Sequence, residues 1–378
     1  MIMRVPLRNV HLLFLITLFA SCVFATDRLV PSAYSTIQNA LSAAVSGDTI
    51  IISPGTYSGS GNSNLYLSNK SVNIRSTNPD DLNVIASTII DGFDSSAGNC
   101  PVFSGISSKS MVAIEGITMV NCYDSAGGAI EVMDANLTLR NCVFEDCVAW
   151  TDGGVIRAYH SNIKMEGCEV IGSIAQGKGG VIYAYYKSSV ELVDCDFTDN
   201  WSMSYGGVLY IYDSNLSSVT GCKFTGNTAL GASSYLHGGA IYIERPVLKN
   251  YNLLISDSDF TDNFASGYGG GIYTRYQPLI IKHSNFIANI SQQYGGGISC
   301  DSNMAAVDSI FAGNVSSGYG AAINCQNRSY NGNTVIRNCT FADVLYNRSG
   351  TYFVYKWGKC FSYEFTLLGN NNNCNLLF

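Results

Sequence analysis

The sequence predicts an all-β solenoid, a parallel β-helix entered through a short N-terminal helix. Two markers and their period carry that prediction. Gly-Gly, a small residue and an aliphatic recur from Gly127, Gly153, Gly179, Gly206, Gly238, Gly269 and Gly295, with a weaker Gly-Ala-Ala-Ile at Gly320. A second marker, clearest as Phe-x-x-Asn, follows each of them at Phe144, Val170, Phe197, Phe224, Phe260, Phe286, Phe311 and Phe341. Successive Gly pairs are 26, 26, 27, 32, 31, 26 and 25 residues apart, a period that marks stacked repeats.

Composition agrees. The 378 residues are 47% hydrophobic and only 13% charged, with 38 Gly and 7 Pro, which excludes a disordered chain. A net charge of -7 without any Lys/Arg run gives no electrostatic footing for nucleic acid or an anionic membrane.

From the N-terminus, residues 1–25 read as an export leader: Arg4 and Arg8 precede an apolar run from Val10 to Ala20, and Val23-Phe24-Ala25 supplies the small-residue cleavage pattern. No later segment has about 18 uninterrupted apolar residues, so no stable membrane span is expected, and the product is expected outside the cell or at its surface. Residues 26–60 read as an N-terminal cap, with an amphipathic helix from about Thr36 followed by a turn and a first strand. Residues 61–345 hold the repeats, and 346–378 read as an irregular segment or C-terminal cap.

Within a repeat, Val190 to Phe197 alternates apolar and polar residues with a phase change between Leu192 and Cys195, which is two short strands meeting at a bend. The Gly-Gly-Val-Ile-Tyr-Ala unit supplies a third strand. Stacked coils about 4.8 Å apart turn each position into a column. The aliphatics after the Gly pairs and the Phe residues should point inward. Asn200, Asn227, Asn263, Asn289 and Asn314 should form a turn ladder.

Loss of the leader removes Cys22 and leaves 12 of 13 cysteines, an even number in an oxidising compartment. Cys122 and Cys147 share one column, and Cys300 and Cys325 share another. Neighbours on adjacent coils lie within the Cα range of a disulfide, and both pairs are disulfide candidates. Cys360 and Cys374 are a third candidate pair, in the tail. The run Cys142, Cys168, Cys195, Cys222 reads as stacked free thiols. Nine Asn-x-Ser/Thr sequons are present. Asn69, Asn136, Asn215, Asn327, Asn338 and Asn347 are the glycosylation candidates, because Asn200, Asn289 and Asn314 belong to the ladder.

The cap segment Tyr34 to Tyr57 resembles the N-terminal cap of the pectin-lyase-like superfamily, which implies right-handed coiling. The alternating GGAI and FxxN words resemble the repeats of chlamydial polymorphic outer membrane proteins, a family of surface adhesins. Together the two resemblances cover roughly residues 30–345. The chain also departs from both families. Nothing after Val344 reads as the alternating transmembrane strands of the chlamydial barrel. The catalytic words of the superfamily are missing too, with no Gly-His-Gly, no Arg-Ile-Lys and four histidines, one of them in the leader. The resemblance therefore implies a fold without implying an activity.

Outward columns are where a solid-cored helix acts. One position after the aliphatics, and three after, place Tyr159, Tyr183, Tyr185, Tyr210, Tyr212, Tyr242 and Tyr273 on one face. An exposed tyrosine-rich row suits stacking on a polysaccharide or anchoring of a cell-surface protein. Longer loops near 229–237 and 245–252 flank this face and bring in His237 and Arg245. A second feature is a pair of acidic bends that would suit Ca²⁺: Asp196 and Asp199 (with Asp194), and Asp259 and Asp262 (with Asp257). Lys223 on the intervening coil separates the sets by about 10 Å. The expectation is a non-catalytic recognition protein without a cofactor. A polysaccharide lyase or hydrolase using those acids, and a structural wall or coat component, are the alternatives.

Overall fold

The computed structural model describes residues 25–93, 102–231, 236–244, 252–326 and 334–342, with the backbone of strands Val354–Trp357 and Ser362–Leu368. The repeats close into coils whose strands stack in parallel to form three sheets. A broad sheet carries two columns of strands, an 8-stranded narrow sheet follows it, and an 11-stranded sheet carries the tyrosines.

The bend inside the broad sheet has a single-residue cause. Ser189–Val193 and Asp196–Thr198 meet at Asp194, which adopts φ +50°. That left-handed residue shifts the alternation, so Leu192 and Cys195 are both buried. Asn141, Gly167, Gly221, Asp257, His283, Asp308 and Asn338 repeat the positive φ on other coils, and most are residue types that tolerate it.

The Gly pair serves two needs. Gly153 sits at φ +72°, and a Cβ on Gly154 would lie 2.0 Å from the carbonyl oxygen of Gly180 on the next coil. The first glycine supplies backbone freedom and the second lets two coils approach. Beyond each pair the aliphatic is buried, as are the Phe residues, whose rings from Phe197 to Phe224, Phe260, Phe286, Phe311 and Phe341 stack at 4.5–5.1 Å. The asparagine ladder forms as expected. Asn227 Nδ2 donates to Asn263 Oδ1 (3.0 Å) and to Phe197 O (2.9 Å), and Asn227 Oδ1 accepts from Asn200 N and Nδ2.

Eight successive coils have four strands rather than the expected three. Two-residue strands such as Val148–Ala149, Ile174–Ala175 and Trp201–Ser202 form the narrow sheet. Two residues are too short to show a period in sequence. A second helix, Leu82–Ser87, was likewise not expected. At the N-terminus, Asp27–Val30 pairs with Thr49–Ile52, and helix Ile37–Ala43 is N-capped by Thr36, whose side chain accepts from Asn39 N. Buried Asp48 accepts from Thr26 N, Val45 N and Arg28. Burial opposes its ionisation, but these donors hold the carboxyl below its ordinary range. The tail, expected to be an irregular segment or a cap, contains Val354–Trp357 and Ser362–Leu368, which pair with Ile323–Gln326 and Thr334–Ala342 as a further coil. No Gly pair flags it. Among the described residues no helix is long and apolar enough to cross a membrane.

The disulfide expectation is corrected for two pairs. Cys122, Cys147, Cys300 and Cys325 are buried, and no disulfide joins either pair. Cys300 and Cys325 are in-register neighbours on parallel strands. In such a ladder side chains project side by side, whereas a disulfide needs the β-carbons drawn together and the S–S dihedral near a right angle. Cys300 Sγ instead accepts from Thr274 Oγ1 at 3.2 Å. Cys142, Cys168, Cys195 and Cys222 are stacked free thiols, as expected. Cys360 and Cys374 lie outside the described residues.

Candidate functional site

The tyrosine sheet is built from strands such as Ile182–Tyr185, Leu209–Tyr212, Ile241–Glu244 and Ile272–Arg275. Their first and third residues enter the core, and their second residues point away from it. Tyr183, Tyr210, Tyr242 and Tyr273 therefore form their own cluster outside the main core. Register pairs them directly, with ring centroids 5.6, 5.2 and 5.0 Å apart along the column.

The expectation of an open aromatic row is corrected for these four residues. Tyr210, Tyr242 and Tyr273 are 2–3% exposed and Tyr183 is 9% exposed. A neighbouring column also carries rings, Tyr205, His237 and Tyr268, each just before a Gly pair. Two adjacent ring columns shield one another. Tyr159, Tyr185 and Tyr212 are half-buried at the rim. Beside them Tyr186, at φ +53°, stacks on Tyr159 with centroids 5.0 Å apart and planes 4° apart. Tyr186 is 45% exposed. A large aromatic in the left-handed region is uncommon, and nothing in the sequence marked this residue.

Charged groups fix the edges of the cluster. Glu244 accepts from Tyr210 Oη (3.1 Å) and pairs with Arg275 (3.0 Å), while Asp301 accepts from Tyr273 Oη (3.1 Å). Arg157 lies over the Tyr185 ring and pairs with Glu131 at 2.9 Å. Lys178 lies over Tyr183 and Tyr210. Burial, and then the carboxylates, push the phenols of Tyr210, Tyr242 and Tyr273 well above the ordinary range. His237 is neutral: burial, then the charge of Arg275, brings its pKa down to about 4, and Nδ1 accepts from Tyr268 N at 3.0 Å. Sequence reading placed His237 in a loop flanking the tyrosine face; it is a member of the ring column. Arg245 lies outside the described residues.

The acidic bends do not converge. Asp196 pairs with Lys223 at 3.1 Å, and Lys223 is in register between Asp196 and Asp259. Asp259 accepts from Asn285 Nδ2 at 2.7 Å. Asp194, Asp199, Asp257 and Asp262 are exposed bend residues at positive φ. Among the described residues no group of three or more His, Cys, Asp or Glu side chains is arranged to hold a metal. Of the sequons, Asn69 and Asn338 are exposed, and Asn136 and Asn215 are half-buried. Asn327 and Asn347 lie outside the described residues. Asn200, Asn289 and Asn314 are buried in the ladder.

Comparison with known proteins adds two matches. Residues 73–248 match the model of a right-handed β-helix region, and residues 257–275 match the Chlamydia polymorphic membrane protein repeat. The second match spans one Phe-x-x-Asn word and the Gly-Gly-Gly-Ile that comes after it. No curated protein matches the chain, and no solved structure does. The chain is thus a right-handed parallel β-helix that contains a segment similar to the Chlamydia polymorphic membrane protein repeat.

Proposed function

We propose that this is an exported surface protein that acts by recognition, contacting polysaccharide or a cell-surface protein through the rim of the tyrosine face. One observation carries the reading: a rigid block of rings is held outside the core, and its accessible members, Tyr159, Tyr185, Tyr212 and Tyr186, lie together at its edge. The buried tyrosines brace that edge. Rings immobilised before contact lose little entropy on binding. The polymorphic membrane protein-type repeat supports a surface role. Helix Ile37–Ala43, with Ile37, Ala40 and Leu41 in the common core, serves in this reading as the lid on the N-terminal coil.

The test is native electrophoresis of the mature protein through gels containing acidic and neutral polysaccharides. Retardation that is lost in a Tyr159→Ser/Tyr186→Ser double variant supports the rim. Retardation that the variant retains moves recognition elsewhere. A cleared zone in the polymer replaces recognition with catalysis, and absence of both directs the search to protein partners.

A further inference from the structure

The narrow sheet presents an apolar stripe that is separate from the tyrosine face. In each two-residue strand the second residue is buried and the first faces outward. Those outward residues are in register from coil to coil, and they include Val148, Ile174, Trp201, Phe264, Ile290 and Val315. Next to this column Trp150, Met203 and Leu230 are 48, 41 and 39% exposed. The outer face of the broad sheet is polar only over its earlier coils, where its column runs through Thr138, Lys164, Glu191 and Ser218 before it reaches Leu254, Ile280 and Ala305. Across the 8 strands the stripe is about 34 Å long at 4.8 Å per step. Thr228 is the one aliphatic hydroxyl in the outward column, most of whose members are half-buried, and the flanking column also holds Gln176, Ser266, Gln292 and Ser317. An apolar row of this length, even partly exposed, is uncommon on a protein that works alone.

Charge says what covers it. The corner between the broad and narrow sheets carries Glu145, Asp146, Asp199 and Asp262, all exposed. No Lys or Arg shares their two columns, which otherwise hold Val120, Ile171, Thr198, Thr225, Thr261, Ile287 and Ala312, and Asn121, Gly172, Gly226, Ala288 and Gly313. An acidic border repels an anionic lipid surface. A second copy of a chain with net charge -7 would add carboxylates to carboxylates.

From this border we infer that the stripe is a docking site for a cationic amphipathic segment of a partner protein, with an apolar face on the narrow sheet and Lys/Arg along the acidic corner. A helix of about 22 residues, at 1.5 Å per residue, would span it. The site lies on a different face from the tyrosine rim and does not depend on the recognition reading.

The experiment uses the full mature chain and a fluorescent Leu/Lys helical peptide of about 22 residues, with a scrambled peptide of the same composition as control. Binding is read by anisotropy. The wild type should bind the amphipathic peptide at least tenfold more tightly than the scrambled one. Trp150→Ser/Met203→Ser/Leu230→Ser should weaken binding at least tenfold, as should Asp146→Asn/Asp199→Asn/Asp262→Asn. All six side chains are exposed and Asn tolerates the left-handed bends, so an unchanged circular dichroism melt is expected for both variants. Tyr186→Ser should leave peptide binding unchanged. Equal binding of the scrambled peptide, no binding, or indifference to the apolar triple overturns the proposal. So does a wild-type dimer in sedimentation that the apolar triple dissolves, which would give the stripe to a second copy.

Discussion

His237 lies face to face with Tyr268, ring centroids 4.6 Å apart and planes 8° apart, and accepts that residue's N–H at 3.0 Å through Nδ1. Tyrosine occupies the same column at Tyr205, Tyr268, Tyr294 and Tyr319. One histidine in a tyrosine stack gives the fold a titratable joint.

Burial sets the sign of its pH dependence. His237 is protonated only near pH 4 in the folded chain, against about 6.5 when unfolded. Its contribution is fully present above pH 6.5 and is lost as pH falls to 4, because the unfolded chain takes the proton first. Equilibrium unfolding should show a loss of up to about 3 kcal/mol across that window. His237→Tyr should flatten that part of the profile, and an unchanged slope in the variant would sink the assignment.

Asn227→Ala should be among the costliest single changes in the chain. It removes the donors to Phe197 O and Asn263 Oδ1 and leaves the N–H of Asn200 without its acceptor inside the core. A loss of about 3 kcal/mol is expected, since each buried group left unpaired costs about 1–3 kcal/mol. Chemical denaturation of the variant against the parent measures it. A loss below about 1 kcal/mol would mean that water replaces the amide.

The nine cysteines among the described residues are all buried and should resist modification in the native protein. Burial raises the Cys300 thiol to about 11, leaving little thiolate at neutral pH. A thiol reagent without reductant should find none of the nine in the folded chain and all nine after denaturation. Recovery of only seven would indicate that one of the parallel pairs had oxidised.

Glycan occupancy should track exposure rather than sequence. Expressed through a eukaryotic secretory pathway, the protein should carry glycans at Asn69 and Asn338, and none at Asn200, Asn289 or Asn314, which are 0–1% exposed. Glycopeptide mass spectrometry distinguishes these sites directly. A glycan at Asn289 would show that modification precedes folding of the ladder.

Much of the fold was legible because stacking makes a residue's neighbours its counterparts one repeat away. Gly153, Phe197 and Asn227 could each be placed from spacing, and the phase change at Asp194 told where the backbone must turn. Strands of two residues leave no period, so the narrow sheet and its outward Ile174 and Trp201 stayed hidden. Tyr186 stayed hidden too, because the left-handed corner it shares with Asp134, His160, Asp213 and Tyr276 carries no constant residue type that would mark it in sequence.

By itself the sequence determined the coil, its period, the inward columns and the face on which the tyrosines gather, since each is a property of one repeat copied along an axis. Only the tertiary structure decided which of those tyrosines meet solvent. Exposure depends on what the adjacent column carries, and there Tyr205, His237 and Tyr268 cover Tyr210, Tyr242 and Tyr273. The thiols obey the same rule. An even cysteine count admits pairing, but parallel register holds Cys300 and Cys325 side by side in a geometry that leaves both reduced.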